Sequence, residues 1–398
     1  MKSSFVCAVS LVVVACSSDP SPPTGAGLGG AGGGAGAPTS AGSGGALASG
    51  GSTASGGAGA GGTAGSAAGT GGNAGGSTAG TGGSAGVGGS GGTTSTGFKC
   101  GAGPFETLTI PSGKASKVAG APPSDDFNKN NFTNVEGPVW IGDSLYFSEM
   151  TGSNTIPPAR ILKIAPGGVV SVAVPDSGSN GLAVDGAGNL IAAVHKDGSI
   201  SQIALPAGTA TPLIGMFNGM RFTSPNDLAI RSDGIIYFSD PSYQNQANPQ
   251  KGEHLYRVSA PPTRTASIVP DAPSTPNGVT LSPDEKTLYV SGSGLKKFTV
   301  MTDGTLSAAS DFVVGSGGDG MAVDCNGNLY VAGNMGNVVR VYSSAGMALG
   351  TIQADGAGTT TNVAFGGTDH KMLYITAQGN EGQRGVWSIA LNVPGFPY

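Results

Sequence analysis

The chain has 398 residues, of which 73 are glycine, and a formal net charge of −5. That length allows one large folded unit or two ordinary ones. With no basic cluster anywhere in it, the sequence excludes a nucleic-acid partner, whose affinity would rest on lysine and arginine contacts to phosphate.

Met1-Lys2 is a short positive start, and the apolar run that follows to Ala15 is too short to cross a bilayer as a helix. The run ends Val13-Val14-Ala15-Cys16-Ser17, which resembles the lipobox of bacterial lipoproteins. The resemblance implies a signal peptide over 1–15, cleavage before Cys16 and lipidation of that cysteine. Serine at position 17, in place of aspartate, implies the outer membrane over the inner one. Membrane contact is therefore expected only through the lipid, at the cell envelope. Residues 16–97 follow as Gly, Ala, Ser and Thr with almost no aliphatic or charged side chain. Such chain cannot bury enough apolar surface to offset its ordering entropy. It is expected to be a flexible tether with a reach of about 50 Å. Collagen is excluded by the absence of a Gly-X-Y period and the scarcity of proline.

From residue 98 the composition becomes that of a globular protein, with ample length for one core. Cys100 and Cys325 are the cysteines left to the mature domain. In an exported protein they point to one disulfide, the alternative being two free thiols. Glu106-Thr107-Leu108-Thr109-Ile110 reads as a strand. In a closed ring of sheets, an N-terminal strand of this kind is expected to complete the last sheet.

One pattern then recurs at intervals of roughly 40–50 residues, the spacing of a four-stranded propeller blade. A polar residue opens a short apolar stretch, a Gly- or Asp-containing turn follows, and a second apolar stretch closes the unit. The copies begin at Glu136, Asn180, Asn226, Asn277, Asp319 and Asn362. Each reads as a β-hairpin, as in Ala183-Val184-Asp185, the turn Gly186-Ala187-Gly188-Asn189 and Leu190-Ile191-Ala192-Ala193-Val194. No amphipathic helix interrupts them. The fold class is all-β, a six-bladed β-propeller over 98–398.

If the copies are innermost strands, their opening residues share one mouth of a central channel. Six oxygen-bearing side chains then converge, a set suited to a hard cation such as calcium or magnesium. The competing reading is that Asn and Asp merely begin strands after tight turns.

Four stretches carry a family likeness: Glu136-Gly137-Pro138-Val139-Trp140, Ser224-Pro225-Asn226-Asp227, Thr275-Pro276-Asn277-Gly278 and Asp319-Gly320-Met321. With Asn362-Val363-Ala364-Phe365-Gly366-Gly367 they resemble the SMP-30/gluconolactonase/regucalcin family over about residues 132–398. The resemblance implies a six-bladed propeller with one divalent cation in its channel. Calcium is the first expectation, with magnesium, manganese and zinc as alternatives. It implies Glu136, Asn277 and Asp319 as ligands, Asn226 as a ligand or a substrate contact, and Asp319 as the proton donor and acceptor. Asn180 and Asn362 inherit no role and read as structural residues of the rim. His195 stands where relatives have Glu-His, here Val194-His195, and reads either as a proton relay or as a surface-loop histidine. Arg221, Asp227, His195 and Tyr243 are candidates for substrate contact, and Asp240 is a candidate for the pocket wall.

The chemistry implied is hydrolysis of a small-molecule lactone by a monomeric enzyme, with water attacking a polarised carbonyl. Phosphotriester or aryl-ester hydrolysis on the same scaffold is one alternative, and a non-catalytic propeller displayed for binding is another. No Gly-x-Ser-x-Gly elbow is present, which argues against a covalent serine mechanism.

Overall fold

The structure is a computed structural model that describes residues 99–118, 132–151, 158–244, 247–333 and 336–396. The expected signal peptide, Cys16 and the tether lie outside those residues. All of the description below concerns the compact unit Gly86–Tyr398.

The described residues form strands and turns, with no helix among them. Four sheets are simple four-stranded meanders. The first runs Asn134–Ile141, Ser144–Met150, Ala159–Ile164 and Val170–Val174. The second begins with Ser179–Val184 and Leu190–Val194, the third with Leu228–Ile230 and Ile236–Asp240, and the fourth with Val279–Leu281 and Thr287–Val290. Met216–Phe217 and Met220–Arg221 form a small two-stranded sheet, and the last sheet has eight strands. It contains the meander from Met321–Val323 to Ala348–Ala354, then Lys114–Lys117, then Gly385–Ala390, Met372–Gln378 and Thr359–Gly366.

The opening strands face one another in sequence. Each packs on the next, and Thr359–Gly366 packs back on Asn134–Ile141, so the arrangement closes as a propeller-like ring. Two of the second strands, Leu190–Val194 and Ile236–Asp240, are buried along their whole length. A strand covered on both faces by neighbouring sheets reads as a continuous apolar run rather than an alternating one. The core lies between sheets. Phe222, Phe238 and Tyr256 meet with ring centroids 4.9–5.2 Å apart between the second and third sheets.

The strand expected at Glu106–Ile110 is not formed. That segment runs irregularly along the outside, with Leu108 and Ile110 half-packed on the last core cluster. Its polar groups pair singly, as where Thr109 N–H donates to Asn392 Oδ1 at 2.8 Å. The closing strand is Lys114–Lys117 instead. It pairs antiparallel with Gly385–Ala390 and parallel with Ala348–Ala354. The expected role is filled a few residues downstream, by a stretch whose sole buried side chain is Ala115.

Cys100 and Cys325 are bonded, with Cα atoms 5.4 Å apart. Cys325 lies in the turn between Met321–Val323 and Leu329–Ala332, at the far end of its opening strand from Asp319. The C-terminal stretch reaches the same end. Cys325 N–H donates to Pro394 O at 2.8 Å and Phe396 N–H to Val323 O at 2.9 Å.

A buried acid cluster as the candidate functional site

The six polar residues that open the repeats all sit where their strands begin, at one end of the ring. Three lie at backbone irregularities. Pairing shifts register between Glu136 and Val139, between Ser179 and Leu182, and between Thr360 and Asn362. Such bulges re-aim a side chain without ending the strand. In the other three sheets the ladder starts two residues later, leaving Asn226, Asn277 and Asp319 outside it. Their N–H groups still reach their own sheets, at Ser239 O, Ser291 O and Ala332 O, 2.9–3.0 Å away.

A circuit of hydrogen bonds ties each sheet to the next at this level. Ser148 and Ser179 hydroxyls meet at 2.7 Å. Gly181 N–H donates to Asn226 O at 2.6 Å. Ser239 Oγ donates to Asn277 O and Ser291 Oγ to Asp319 O, both at 2.6 Å. Gly320 N–H donates to Thr361 O, and Thr361 Oγ1 donates to Val135 O, both at 2.7 Å.

Such closeness requires glycine beside the ring residues. A Cβ on Gly137 would stand 2.4 Å from Asn180 O, and its φ of +53° already disfavours other residues. A Cβ on Gly320 would fall 1.8 Å from Asn362 Cγ.

Three carboxylates converge inside this ring. Burial raises the pKa of Glu136 well above its usual value, and the charges of Asp319 and Asp227 raise it further. Burial, then Asp227, pushes Asp319 up to about 8. Burial pushes Asp227 up to about 7. What opposes these shifts is neutral. Gly137 N–H donates to Glu136 Oε2 at 3.3 Å, Leu228 and Val279 N–H donate to Asp227, and the side-chain amides of Asn362 and Asn277 lie near the acids and oppose the rise. No lysine or arginine is among the groups that lower them. Buried charges without an opposite partner are strongly disfavoured, so the cluster calls for a cation or for protons.

The donors are all oxygen, which fits a hard divalent cation. Asp227 is not placed like the others. Its Oδ1 accepts from Leu228 N–H at 3.0 Å and its Oδ2 from Val279 N–H at 3.1 Å. It supplies charge from one residue deeper, rather than an open oxygen at the mouth where a substrate contact was expected. Among the described residues, no three His, Cys, Asp or Glu side chains form a metal-holding group by themselves. A set that mixes Glu136 and Asp319 with amides from Asn226 and Asn277 is of another kind. Below the ring lies a cavity of about 30 Å³, lined by Pro138, Leu182, Leu228, Met321 and Phe365, with Phe396 also in its wall. It holds water-sized guests at most.

The other expected residues divide. His195 is fully buried, which removes the surface-loop reading. Its carbonyl accepts from Arg221 Nη2 at 2.9 Å, and Arg221 Nε donates to Phe222 O at 3.1 Å. Arg221 thus braces backbone and faces Asp240. Asp240 is buried and grips the same loop, accepting from Thr223 N–H at 2.9 Å and Ser224 N–H at 2.6 Å. Burial pushes it up to about 6. It holds the segment carrying Asn226 instead of lining a pocket. Tyr243 is 39% exposed, feels the charges of Asp319 and Glu136, and donates to Thr275 O at 3.1 Å. Asn362, expected to be structural, is buried, with its Oδ1 held by Val363 N–H at 2.8 Å.

A ring of sheets around a buried, all-oxygen acid cluster defines a class of propeller with a polar axial site. The family model described as the SMP-30/gluconolactonase/LRE-like region matches residues 135–379, more than half of the chain. The chain belongs to that family. A gluconolactonase of Zymomonas mobilis is 28% identical over 283 residues, which cover 62% of this chain and 76% of that one. Among solved structures, a gluconolactonase from Xanthomonas campestris is 31% identical, with a TM-score of 0.56 over 66% of this chain and 87% of that one. A calcium-binding regucalcin from Agrobacterium tumefaciens, 17% identical, shares the fold, with a TM-score of 0.56 over 72% of this chain and 99% of that one.

Proposed function

We propose that the protein is a metal-dependent lactonase built on a six-bladed propeller, in which the eight-stranded sheet counts as two blades joined by Lys114–Lys117. The observation that carries this reading is the acid cluster without a basic partner, Glu136, Asp227 and Asp319, in a chain whose relatives include gluconolactonases. Glu136, Asn226, Asn277 and Asp319 would hold one divalent cation, calcium being the first choice for an all-oxygen set. When bound, the cation supplies a Lewis acid that polarises the lactone carbonyl.

The chain's own groups do the rest. Asp319 takes the proton from the attacking water, with the Asn277 amide close by to favour its ionised form. His195, close behind the mouth, is assigned as a relay for that proton. Tyr243 presents its exposed ring to the substrate at the mouth. The acyl–oxygen bond of the ring then breaks, and the released alkoxide takes the proton back to give the hydroxy acid. Arg221 serves the site by bracing His195 and the loop of Asn226.

The test is hydrolysis of δ-gluconolactone, an acyl lactone and paraoxon by the purified protein, before and after chelation and with calcium restored. Lactone turnover that vanishes on chelation and in Glu136→Gln/Asp319→Asn is expected. Turnover of paraoxon alone would reassign the substrate class, and no turnover of any substrate with calcium present would leave a binding propeller.

A further inference from the structure

The cavity below the ring lies on the axis, because every opening strand contributes to its wall. Pro138, Leu182, Leu228, Thr280, Met321 and Ala364 each come from a different one. Phe396 comes from none of them. It belongs to the C-terminal stretch after Gly385–Ala390, which folds back under the ring at the end away from Asp319. That stretch is tied down along its length. Leu391 N–H donates to Lys371 O at 2.8 Å and Gly395 N–H to His370 O at 2.7 Å, beside the bonds already described at Pro394 and Phe396. A Cβ on Gly395 would stand 1.7 Å from Phe365 Cγ, so the backbone lies flat on Phe365, another residue of the wall. Phe396 itself is half-buried and packs on the cluster that holds Met321 and Val323.

The wall also carries polar groups. Thr280 is 1% exposed, and its Oγ1 has no hydrogen-bond partner among the described residues. Buried hydroxyls are as a rule bonded to protein or to ordered water. Asp227 borders the same space. Its Oδ1 accepts from Leu228 N–H and its Oδ2 from Val279 N–H, and a carboxylate oxygen can accept a second bond. The cavity volume of about 30 Å³ exceeds the roughly 10–15 Å³ that one water needs.

We propose that the axial cavity is a sealed internal water site: water bonded to Thr280 Oγ1 hydrates Asp227 from below, and Phe396 is the floor that closes the base of the channel. Solvent then reaches the acid cluster through the mouth alone. The inference stands whether or not the ring above takes a cation.

The experiment compares the full chain as wild type, Thr280→Val, Phe396→Ala and Phe396→Leu. Crystal structures locate the water. Magnetic relaxation dispersion of water oxygen counts the long-lived internal waters in solution and gives their residence time. The wild type is expected to hold a water within about 3.2 Å of Thr280 Oγ1. Thr280→Val keeps the shape of the side chain and is expected to lose that water from both readouts. Phe396→Ala is expected to keep the water but shorten its residence time about tenfold or more, a barrier lower by about 1.4 kcal/mol. Phe396→Leu retains an apolar side chain, and it reports a smaller shortening if the alanine variant fails to fold. A wild-type crystal with Thr280 Oγ1 bonded to protein, or a dispersion unchanged in Thr280→Val, overturns the water site. A residence time unchanged in both Phe396 variants overturns the floor.

Discussion

At the scale of single residues, the site is set by where side chains are absent as much as by where they are present. Gly137 lets Asn180 O approach and adopts a φ of +53°, so Gly137→Ala should cost at least about 3 kcal/mol from strain and overlap together. Gly142→Ala is the control. Its φ is +64° with nothing within 4 Å, and it should cost only about 1 kcal/mol. Chemical denaturation of the two variants measures the difference, and equal losses would remove the steric argument. The acids make a second prediction. Asp227 and Asp319 hold protons up to about pH 7 and 8 in the fold, against an ordinary 3.8. The metal-free native state therefore binds more protons than the unfolded chain across that window, and its stability falls as pH rises. With chelator present, the melting temperature should drop between about pH 5 and pH 8. Saturating calcium, which favours the ionised acids, should flatten or reverse that slope. A melting temperature that rises with pH in chelator would contradict the charge assignment.

The ring positions were legible in the sequence because one polar residue per repeat, followed by an apolar run, survives any uncertainty in strand boundaries. The placement of Asp227 and Asn362 beside the ring acids was not legible in the sequence. Asp227 follows another polar residue, and strand alternation would send the two to opposite faces. Both face inward because the ladder of that sheet starts only at Leu228. Asn362 gave no signal because the acids near it, Glu136 and Asp227, are far away in sequence and come near it only when the ring closes.

At the scale of elements, the misplaced closing strand shows what alternation can and cannot find. Glu106–Ile110 alternates like a strand yet stays irregular, since its two apolar side chains find only partial cover. Lys114–Lys117 has no apolar pattern to read, being an outermost strand with three side chains in solvent. Its place comes from backbone pairing on both sides and from Ala115, which is fully buried. Ala115→Glu should therefore break the join between the first and last parts of the domain. The expected cost is about 3 kcal/mol or more, with a charge buried against Ala354 and Trp387. Lys114→Glu, on an exposed neighbour, should change stability by less than about 0.5 kcal/mol. Urea melts of the pair test this, and similar midpoints would mean the strand does not close the ring.

At the scale of the whole molecule, the disulfide closes a long covalent loop, with Cys100 and Cys325 separated by 225 residues. Cross-linking so long a loop removes much unfolded-state entropy, and Cys325→Ser should cost roughly 2–5 kcal/mol. Calorimetry of the variant beside the reduced wild type measures it, and an unchanged melting temperature would show that the bond adds nothing to the closure made by Lys114–Lys117. The paired use of Cys100 and Cys325 was readable from their number alone. That they join the N-terminal segment to the turn at the end of Met321–Val323 was not, because it depends on how the ring closes.

That same bond also fixes an orientation. The opening strands run from the acid cluster to the opposite end of the ring, and Cys325 sits at that opposite end. Asn326 Nδ2 donates to Glu106 O there at 2.7 Å, so the segment after Cys100 is stitched to the same face. The polypeptide therefore enters the domain from behind. The described chain thus enters at one end of the ring and keeps its buried acids at the other, so a change at Cys100 can reach them only through the length of the opening strands.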